Sequence, residues 1–473
     1  MAAAIEQALA SVLQRRIDGC LGLVSCERLS GGASQETYRI VIATDGGERK
    51  LAMRRAPGAP GTTAPKHGTY PGLATEAQLI RAARAAGVPE PEIFWVLTPE
   101  DGLGDGFIMD WLDGEALGAR IVRDPSLDTI RPKLAEQCGE ILARIHAIDL
   151  DATDLRARLS RVDPEDYVRQ TWQRYQALDT PQPMLDYAGR WLLEHLPRSF
   201  EPALVHNDFR NGNIMVSPQG VVAVLDWEIA HIGDPMRDLG WICTNSWRFG
   251  RSDLPVGGFG TYADLFRGYE RASGKKVDPA HVKFWEIFGS FWWGCSSLTM
   301  AQHYRIGPDK TVERPAIGRR TSECQVDCVN LLIPGPVELF TPDATQSNID
   351  MPRLDELVTS VRDYLRDDVM NATKGRTNFL ARVAGNSLDV VLRDLAVGDK
   401  HRARQRERLR DILGESGDLE TLRRSLVARL RENRIALDHP GLADYLREAV
   451  VNQVAIDQPS YSGLKTALAN AQR

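Results

Sequence analysis

The hydrophobic and polar positions of residues 20–112 follow the pattern of short strands. Apolar runs such as TYRIVI are separated there by turn residues, and TDGGE predicts a hairpin. The predicted order is three strands, one helix and two further strands. The helix has the sequence ATEAQLIRAARAAG and ends at Gly87, with Pro89 beyond it. We therefore expect a small strand-rich region that carries one helix.

Helical periodicity dominates the rest of the chain. Residues 113–200 and 259–334 are predicted to be mostly helical, and LAEQCGEILARIHAI carries apolar residues at helical spacing. Between them, residues 201–230 predict a loop and two short strands, NIMV and VVAVLDW. Residues 335–352 have turn composition and are the best candidate for a linker, and successive amphipathic segments follow it. The predicted domains are 1–112, 113–340 and 353–473.

The composition narrows the class of protein. Of the 473 residues, 43% are hydrophobic and 26% are charged, which excludes collagen-like, mucin-like and wholly disordered chains. The net charge of −6 argues against a nucleic-acid partner. No run of about 18 apolar residues is present, so no membrane span is expected, and the start lacks the features of a secretory signal. The seven cysteines are spread along the chain as is typical of reduced thiols, which predicts a cytoplasmic protein.

The candidate chemistry lies in the segment LVHNDFRNGNIMVSPQGVVAVLDWE. Asp208 follows a histidine by two residues, Asn213 lies five residues after Asp208, and Asp226 ends an apolar strand. A carboxylate such as Asp208 can accept a proton from an attacking hydroxyl, and an asparagine oxygen and a second carboxylate suit Mg²⁺. A strand, a turn and a second strand bring Asn213 and Asp226 to the same end of a hairpin. This arrangement predicts phosphoryl transfer. A chance match in a turn rich in Asn and Asp is disfavoured, because the spacing and the following strands agree.

The segment resembles the catalytic loop of the aminoglycoside phosphotransferase and choline kinase-like family, which is related to the protein kinases. HNDFRNGN matches the family pattern His-Gly-Asp-x-x-x-x-Asn, with Asn207 in place of the usual glycine, and DWE matches the metal-binding motif. The resemblance covers about residues 20–335 and is greatest to the branch with kinase-like domains fused to acyl-CoA dehydrogenases. It implies an α+β fold of the bilobal protein-kinase-like type, with a small antiparallel-sheet N-lobe and a helical C-lobe. An all-α C-terminal domain is expected to follow.

The resemblance also implies the nucleotide-binding residues. LSGGASQETY, between the first two strands, corresponds to the loop that approaches the phosphates of ATP. FIMDWLDGE corresponds to the hinge that binds the adenine. The implied cofactor-binding residues are Gly31, Gly32, Ser34, Arg54, Glu76, Met109, Asp110 and Leu112. Asp208 and Arg210 are the catalytic candidates, and Asn213 and Asp226 are the candidate Mg²⁺ ligands.

One position departs from the family pattern. Register places Arg54 of the third strand at the family's lysine position, with Glu76 as the matching acid. Arginine can neutralise phosphate and pair with a carboxylate in a bidentate way, but its geometry differs from that of lysine. Arg210 has two alternative roles at this stage: it contacts a phosphate, or it braces Asp208.

These features predict an enzyme that uses Mg-ATP to phosphorylate a hydroxyl of a small molecule, with GTP as an alternative donor. The helices of 259–334 are more aromatic than acidic, which favours an apolar or hydroxyacyl acceptor over polycationic aminoglycosides. The alternative function is a nucleotide-binding pseudokinase that acts as an interaction module, which Arg54 and the tail support. The tail, 353–473, resembles a small helical domain of unknown role that accompanies such phosphotransferases. Its candidate roles are docking of a partner protein, homodimer formation and covering of the acceptor site.

Overall fold

The computed structural model describes residues 2–29, 35–57, 70–343 and 351–470. These residues confirm the predicted α+β class, with an N-terminal five-stranded sheet and a mostly helical remainder. The strands are β1 (Cys20–Arg28), β2 (Glu36–Thr44), β3 (Gly47–Arg55), β4 (Ile93–Val96), β5 (Gly106–Asp110), β6 (Ala203–Val205), β7 (Ile214–Ser217), β8 (Gly220–Val224) and β9 (His231–Gly233). The helices are α1 (Ala2–Arg16), α2 (Leu73–Ala85), α3 (Gly118–Arg123), α4 (Leu134–His146), α5 (Pro164–Gln176), α6 (Pro183–Glu194), α7 (Met236–Cys243), α8 (Tyr262–Ser273), α9 (Pro279–Ile306), α10 (Glu313–Arg319), α11 (Thr321–Leu332), α12 (Leu354–Asp363), α13 (Met370–Ala372), α14 (Gly375–Leu413), α15 (Leu419–Arg431), α16 (Leu442–Asp457) and α17 (Ser462–Asn470).

Packing divides the chain into two compact units, each built from separate stretches of sequence. Unit 1 contains Met1–Asp163, Arg198–Cys243 and Trp247–Trp285. Unit 2 contains Pro164–Pro197, Thr244–Ser246 and Glu286–Arg473.

The five-stranded sheet of unit 1 is antiparallel throughout, with the strand order β1-β2-β3-β5-β4. The predicted order of three strands, a helix and two strands is confirmed, with α2 between β3 and β4. The predicted hairpin joins β2 to β3 through a two-residue turn, because Thr44 pairs with Gly47. Arg54 lies on β3, the central strand of the sheet, opposite Phe107 of β5.

Helix α1 contributes to the hydrophobic core of this sheet. Leu9, Val12 and Leu13 are fully buried in one cluster with the sheet residues Ile40 and Leu51. The sequence pattern does not predict the helix, since alanines weaken the contrast between its apolar and polar faces.

Helices α4 and α8 of unit 1 approach each other closely. A Cβ atom added at Gly139 of α4 would clash with the backbone carbonyl of Leu265, and one added at Gly268 of α8 would clash with that of Glu136. Glycine at both positions therefore permits the close contact of the two helices. The predicted helix LAEQCGEILARIHAI is confirmed as α4, and its C-terminal end reaches the candidate site.

Unit 2 is helical in its described residues. The predicted segments RTNFLARVAGNSLDVVLRDLA and RQRERLRDIL form one continuous helix, α14, of 39 residues. No proline separates them, and Gly398 inside the helix has only a modest cost. Residues 335–343 of the predicted linker form no helix or strand, and 344–350 lie outside the described residues. Throughout the described ranges, no helix is both long enough and apolar enough to cross a membrane.

Candidate active site

The loop 206–213, which connects β6 to β7, is held at its start by the carboxylate of Asp238 on α7. The backbone N–H groups of His206 and Asn207 donate to Asp238 at 2.9 and 2.7 Å, and the His146 ring lies 3.1 Å from the same carboxylate. Burial raises the pKa of Asp238, but the hydrogen bonds from His146 and the backbone outweigh that effect, so the pKa lies below its ordinary value. Asp238 is therefore an ionised anchor for the loop.

His206 orients the same loop. Its ring is fully buried, and its Nδ1 accepts the backbone N–H of Asp208 at 3.2 Å. Burial lowers the pKa of His206, so the ring is neutral near pH 7. A neutral ring whose Nδ1 is already occupied positions the backbone rather than exchanging a proton with a substrate.

Asn207, which stands in place of the family glycine, has a left-handed backbone with a φ of 70°. Glycine takes this conformation without steric cost, and asparagine is among the few other residues that tolerate it. Arg237 Nε donates to Oδ1 of Asn207 at 3.1 Å, and Nδ2 of Asn207 donates to the carbonyl oxygen of Ile229 at 3.2 Å. The asparagine therefore preserves the conformation that a glycine would allow.

Three side chains fix the carboxylate of Asp208. Trp241 Nε1 donates to Oδ1 at 2.8 Å, and Arg210 Nε donates to the same oxygen at 3.0 Å. Asn213 Nδ2 donates to Oδ2 at 2.5 Å and to the backbone carbonyl oxygen of Asp208 at 3.1 Å. Donors on both oxygens restrict rotation of the carboxylate. Trp241 lies on α7, 33 residues from Asp208 in the sequence, and no motif or spacing predicts this contact.

Arg210 braces Asp208 in this arrangement. Its guanidinium carbon lies 4.3 Å from the centre of the Trp247 ring, and 23% of its side chain is exposed. The ion pair to Asp208 and the aromatic face of Trp247 together hold the guanidinium in place.

The β7–β8 hairpin brings Asn213 and Asp226 to the same end. Ile214 pairs with Val224, and the N–H of Leu225 donates to the carbonyl oxygen of Asn213 at 2.7 Å. Asp226 then leaves the strand with a φ of 70°. The left-handed turn at Asp226 redirects the chain directly after the strand.

The oxygen atoms of this pair fit Mg²⁺. The amide nitrogen of Asn213 is committed to Asp208, which leaves its Oδ1 as the available acceptor. One oxygen of Asp226 accepts from Arg54, and the other has no donor among the described residues. Carboxamide and carboxylate oxygens are ligands that Mg²⁺ prefers, and Mg²⁺ retains several waters in such sites. In the described part of the chain no group of three or more His, Cys, Asp or Glu side chains is arranged to hold a metal ion, so waters and phosphate oxygens would complete the set.

Arg54 connects the sheet to this pair. Its guanidinium lies 3.2 Å from Glu76 of α2, 2.7 Å from Asp226 and 3.6 Å from Glu228. Burial raises the pKa of Glu76 to about 7, although Arg54 acts to lower it. Burial lowers the pKa of Arg54, but the three carboxylates outweigh that effect and raise it above its ordinary value. The arginine therefore stays charged and contacts both the helix glutamate and the candidate metal ligand.

Comparison with protein families identifies the chain. The model of the phosphotransferase enzyme family matches residues 25–274, a little over half of the sequence. The chain belongs to this family. A second model, of a domain of unknown function (DUF6285), matches residues 371–461. The family membership and the appended domain that the catalytic-loop motif and the tail predicted are confirmed.

Two relatives of this phosphotransferase-family chain are longer than it is. Acyl-CoA dehydrogenase family member 10 of Mus musculus is 32% identical over 249 residues, which cover 51% of this chain and 22% of that protein. Acyl-CoA dehydrogenase family member 11 of Gallus gallus is 31% identical over 233 residues, which cover 46% of this chain and 28% of that protein. The chain thus spans about a quarter of the length of these relatives.

One solved structure shows the kinase-like fold of the phosphotransferase family directly. It comes from Ralstonia eutropha, and the protein is named for the aminoglycoside phosphotransferases. The TM-score is 0.54 at 21% identity, and the match covers 67% of this chain and 95% of that chain. At this identity the likeness shows the fold alone.

Only some of the other predicted nucleotide-binding residues of this phosphotransferase-family chain lie among the described residues. Gly31, Gly32 and Ser34 lie outside the described residues. Met109 is half-buried on β5, and the N–H of Asp110 is already donated to the carbonyl oxygen of Glu92 at 2.9 Å. The Asp110 carboxylate lies 3.0 Å from Arg49. Leu112 follows the strand, and its N–H has no partner among the described residues. Of these hinge residues, Leu112 has the backbone donor that is available to an adenine.

Proposed function

We propose that this chain transfers the γ-phosphoryl group of ATP to a hydroxyl of a small molecule, with Mg²⁺ bound by Asn213 and Asp226. The observation that carries the proposal is the 2.7 Å contact between Arg54 of the sheet and Asp226 beside the catalytic loop. Asn213 in turn contacts Asp208, so a cation for phosphate, two metal ligands and a candidate base form one connected set. Phosphoryl transfer needs positioning and charge neutralisation from such a set, and little covalent chemistry from the protein.

In the proposed mechanism Asp208 orients the acceptor hydroxyl and takes its proton as the hydroxyl oxygen bonds to the γ-phosphorus. The bond from that phosphorus to the bridging oxygen of ADP breaks in the same displacement, so the products are a phosphate ester, ADP and a proton. Trp241 and Arg210 keep the carboxylate in one orientation. When bound, Mg²⁺ neutralises charge on the phosphate oxygens. Arg54 exchanges Asp226 for a phosphate oxygen of the nucleotide, while Glu76 continues to orient it.

The acceptor that we favour is an apolar or acyl-bearing hydroxyl compound. The similar proteins are named acyl-CoA dehydrogenase family members, although this chain covers only about a quarter of their length. Aminoglycosides are polycations that need an acidic pocket, whereas the segment FWEIFGSFWWG of α9 is mainly aromatic. Both observations support a hydroxyacyl compound over an aminoglycoside.

The test is ADP release by the full-length protein with Mg-ATP over a panel of acceptors: hydroxyacyl-CoA, amino alcohols, macrolides and aminoglycosides. We expect turnover stimulated by one class, and a decrease on the order of 10³-fold in Asp208→Asn because the base is lost. Asp253→Asn is the matched control, since Asp253 is exposed and pairs only with Arg251 among the described residues.

Calorimetric binding of ATP to Asp208→Asn shows whether that variant is folded. Equal turnover in the wild type and Asp208→Asn would refute the role of Asp208. Binding of ATP without stimulated turnover by any acceptor would favour the pseudokinase alternative.

A further inference from the structure

Unit 2 contains a cavity of about 500 Å³ among seven of its helices. Helices α6, α9, α10 and α11, which precede the predicted linker, form one part of its walls. Helices α14, α15 and α16, which follow the linker, form another part. Small-molecule sites have volumes of roughly 300–1,000 Å³. The volume therefore suits a ligand of modest size, and residues of the proposed catalytic set are not among those that line it.

The cavity walls carry more positive than negative charge. Three arginines line the cavity, Arg305, Arg319 and Arg423, against one carboxylate, Asp457. Asp457 is nearly buried and is already paired, because Arg319 lies at 3.2 Å and Gln453 donates to it at 3.1 Å. Two cationic side chains therefore remain uncompensated at the cavity.

Arg423 is the better buried of these two cations. Its Nε and Nη2 donate to Oε1 of Gln405 at 3.2 and 2.6 Å, and it interacts with the hydroxyl of Tyr445. Both partners are neutral, and no carboxylate lies within ion-pair distance of Arg423 or Arg305 in the described part of the chain. A half-buried cation with only neutral partners is favourable when an anion completes the site.

The positive charge of Arg423 affects the pKa of the nearby His401. His401 is buried and contacts Gln405 at 2.8 Å. Burial lowers the pKa of His401 to about 4, and the charge of Arg423 lowers it in the same direction. His401 is therefore neutral near pH 7 and adds no second buried cation beside the cavity.

The remaining walls combine apolar and polar surface. Met184, Leu446 and Val450 are buried apolar residues of the lining, and Leu298 is half-buried. Gln405 is also buried and presents polar atoms there. A cavity with polar walls holds water or ligand, whereas only an apolar cavity stays empty.

We propose that this cavity binds a small organic anion that has an apolar body. Arg423 and Arg305 bind its carboxylate or phosphate group. The apolar body packs against Met184, Leu298 and Val450. Since the cavity is lined by helices from both sides of the linker, the C-terminal region acts as one wall of a ligand site.

The experiment is calorimetric titration of the full-length chain with hexyl phosphate, hexanoate and the neutral hexan-1-ol. We expect at least one anion to bind about tenfold or more tightly than the alcohol, the difference expected for a charge-assisted hydrogen bond. Amide hydrogen exchange should slow in the peptides of α16 when that anion is bound. A preference for phosphate or for carboxylate identifies the anionic group, and either result supports the site.

Two arginine variants test whether Arg305 and Arg423 bind the anionic group. Arg305→Gln should weaken the anion about tenfold without effect on stability, because the side chain is exposed and has no partner among the described residues. Arg423→Gln should weaken it at least as much, with circular dichroism as the check on folding. Arg406→Gln is the control, since Arg406 is an exposed arginine of α14 outside the cavity.

Three results would overturn the proposal. The first is that neither anion binds at millimolar concentration. The second is that hexan-1-ol binds as tightly as both anions. The third is unchanged anion affinity in Arg305→Gln and Arg423→Gln. None of these measurements depends on turnover, so they are independent of the proposed phosphotransferase activity.

Discussion

Arg431 and Asp186 form an ion pair in unit 2 that tests how the C-terminal helices pack. Arg431 of α15 donates from Nε to Oδ1 of Asp186 at 2.6 Å and from Nη2 to Oδ2 at 3.3 Å. Trp172 and Tyr175 donate to the same carboxylate at 2.8 and 2.7 Å. Asp186 is fully buried, and 29% of the Arg431 side chain is exposed. The pair joins a helix beyond the linker to a helix before it.

The perturbation is Arg431→Met, which removes the cation and retains much of the aliphatic volume. Asp186 then loses two charge-assisted hydrogen bonds, and breaking a buried pair on one side costs about 3–5 kcal/mol. Because 29% of the Arg431 side chain is exposed, water reaches part of the vacated position, and the two neutral donors remain. We expect a loss in the free energy of unfolding of about 3 kcal/mol, or roughly 6–12 °C in Tm for a unit of about 200 residues.

Urea and heat denaturation of the full chain, followed by circular dichroism, measure this loss. Burial raises the pKa of Asp186 even with Arg431 present, and removal of the cation should raise it further. The folded variant then binds a proton more readily than the unfolded chain, so the deficit should shrink as pH falls from 7 toward 4. Adding Asp186→Asn to Arg431→Met should restore part of the stability, because the amide carries no charge.

The exposed Arg406→Met is the matched control for this prediction. A loss of less than about 0.5 kcal/mol, the usual range of surface substitutions, would refute the reasoning. A loss equal to that of the control would refute it as well. Either result would mean that Arg431 is solvated and does not compensate the charge of Asp186.

Three further predictions concern the candidate active site. Trp241→Phe removes the N–H donor to Asp208 and should lower kcat about tenfold or more with little change in KM for Mg-ATP; an unchanged kcat contradicts it. Arg54→Lys keeps the charge but loses the simultaneous contacts to Glu76 and Asp226, so KM for Mg-ATP should rise about tenfold, and equal KM values contradict it. The folded pKa of Glu76, about 7, is above its unfolded value, so its proton stabilises the folded state at low pH. That stability is lost as pH rises through about 7. Glu76→Gln should remove this part of the dependence in denaturation measured against pH, and an unchanged slope contradicts it.

Local patterns in the chain were sufficient for the sheet and for much of the candidate site. The hairpin between β2 and β3 was predictable because a two-residue turn and alternating strands are encoded by adjacent residues. The spacing from Asp208 to Asn213 fits one loop, and the following hairpin brings Asp226 to the same end. The pairing of Arg54 with Glu76 followed from strand register and the family resemblance.

Other parts of the site and fold could not be predicted in this way. The donor from Trp241 to Asp208 comes from a helix 33 residues away, and a tryptophan on a short helix is as typical of a core as of a functional contact. Helix α1 escaped prediction because its alanines blur the amphipathic pattern. The continuity of α14 depended on a glycine whose cost in a helix is small enough to be offset by packing.

The sequence by itself determined the order of the five sheet strands and helix α2, the candidate catalytic-loop residues and the family, since each depends on neighbouring residues or on spacing within one segment. Only the tertiary structure decided that Trp241 orients Asp208, that Arg54 reaches Asp226, and that α6 and α15 meet at Asp186. These contacts join segments that are far apart in the sequence. Periodicity shows which face of a helix is apolar, but it carries no information on which distant face will cover it.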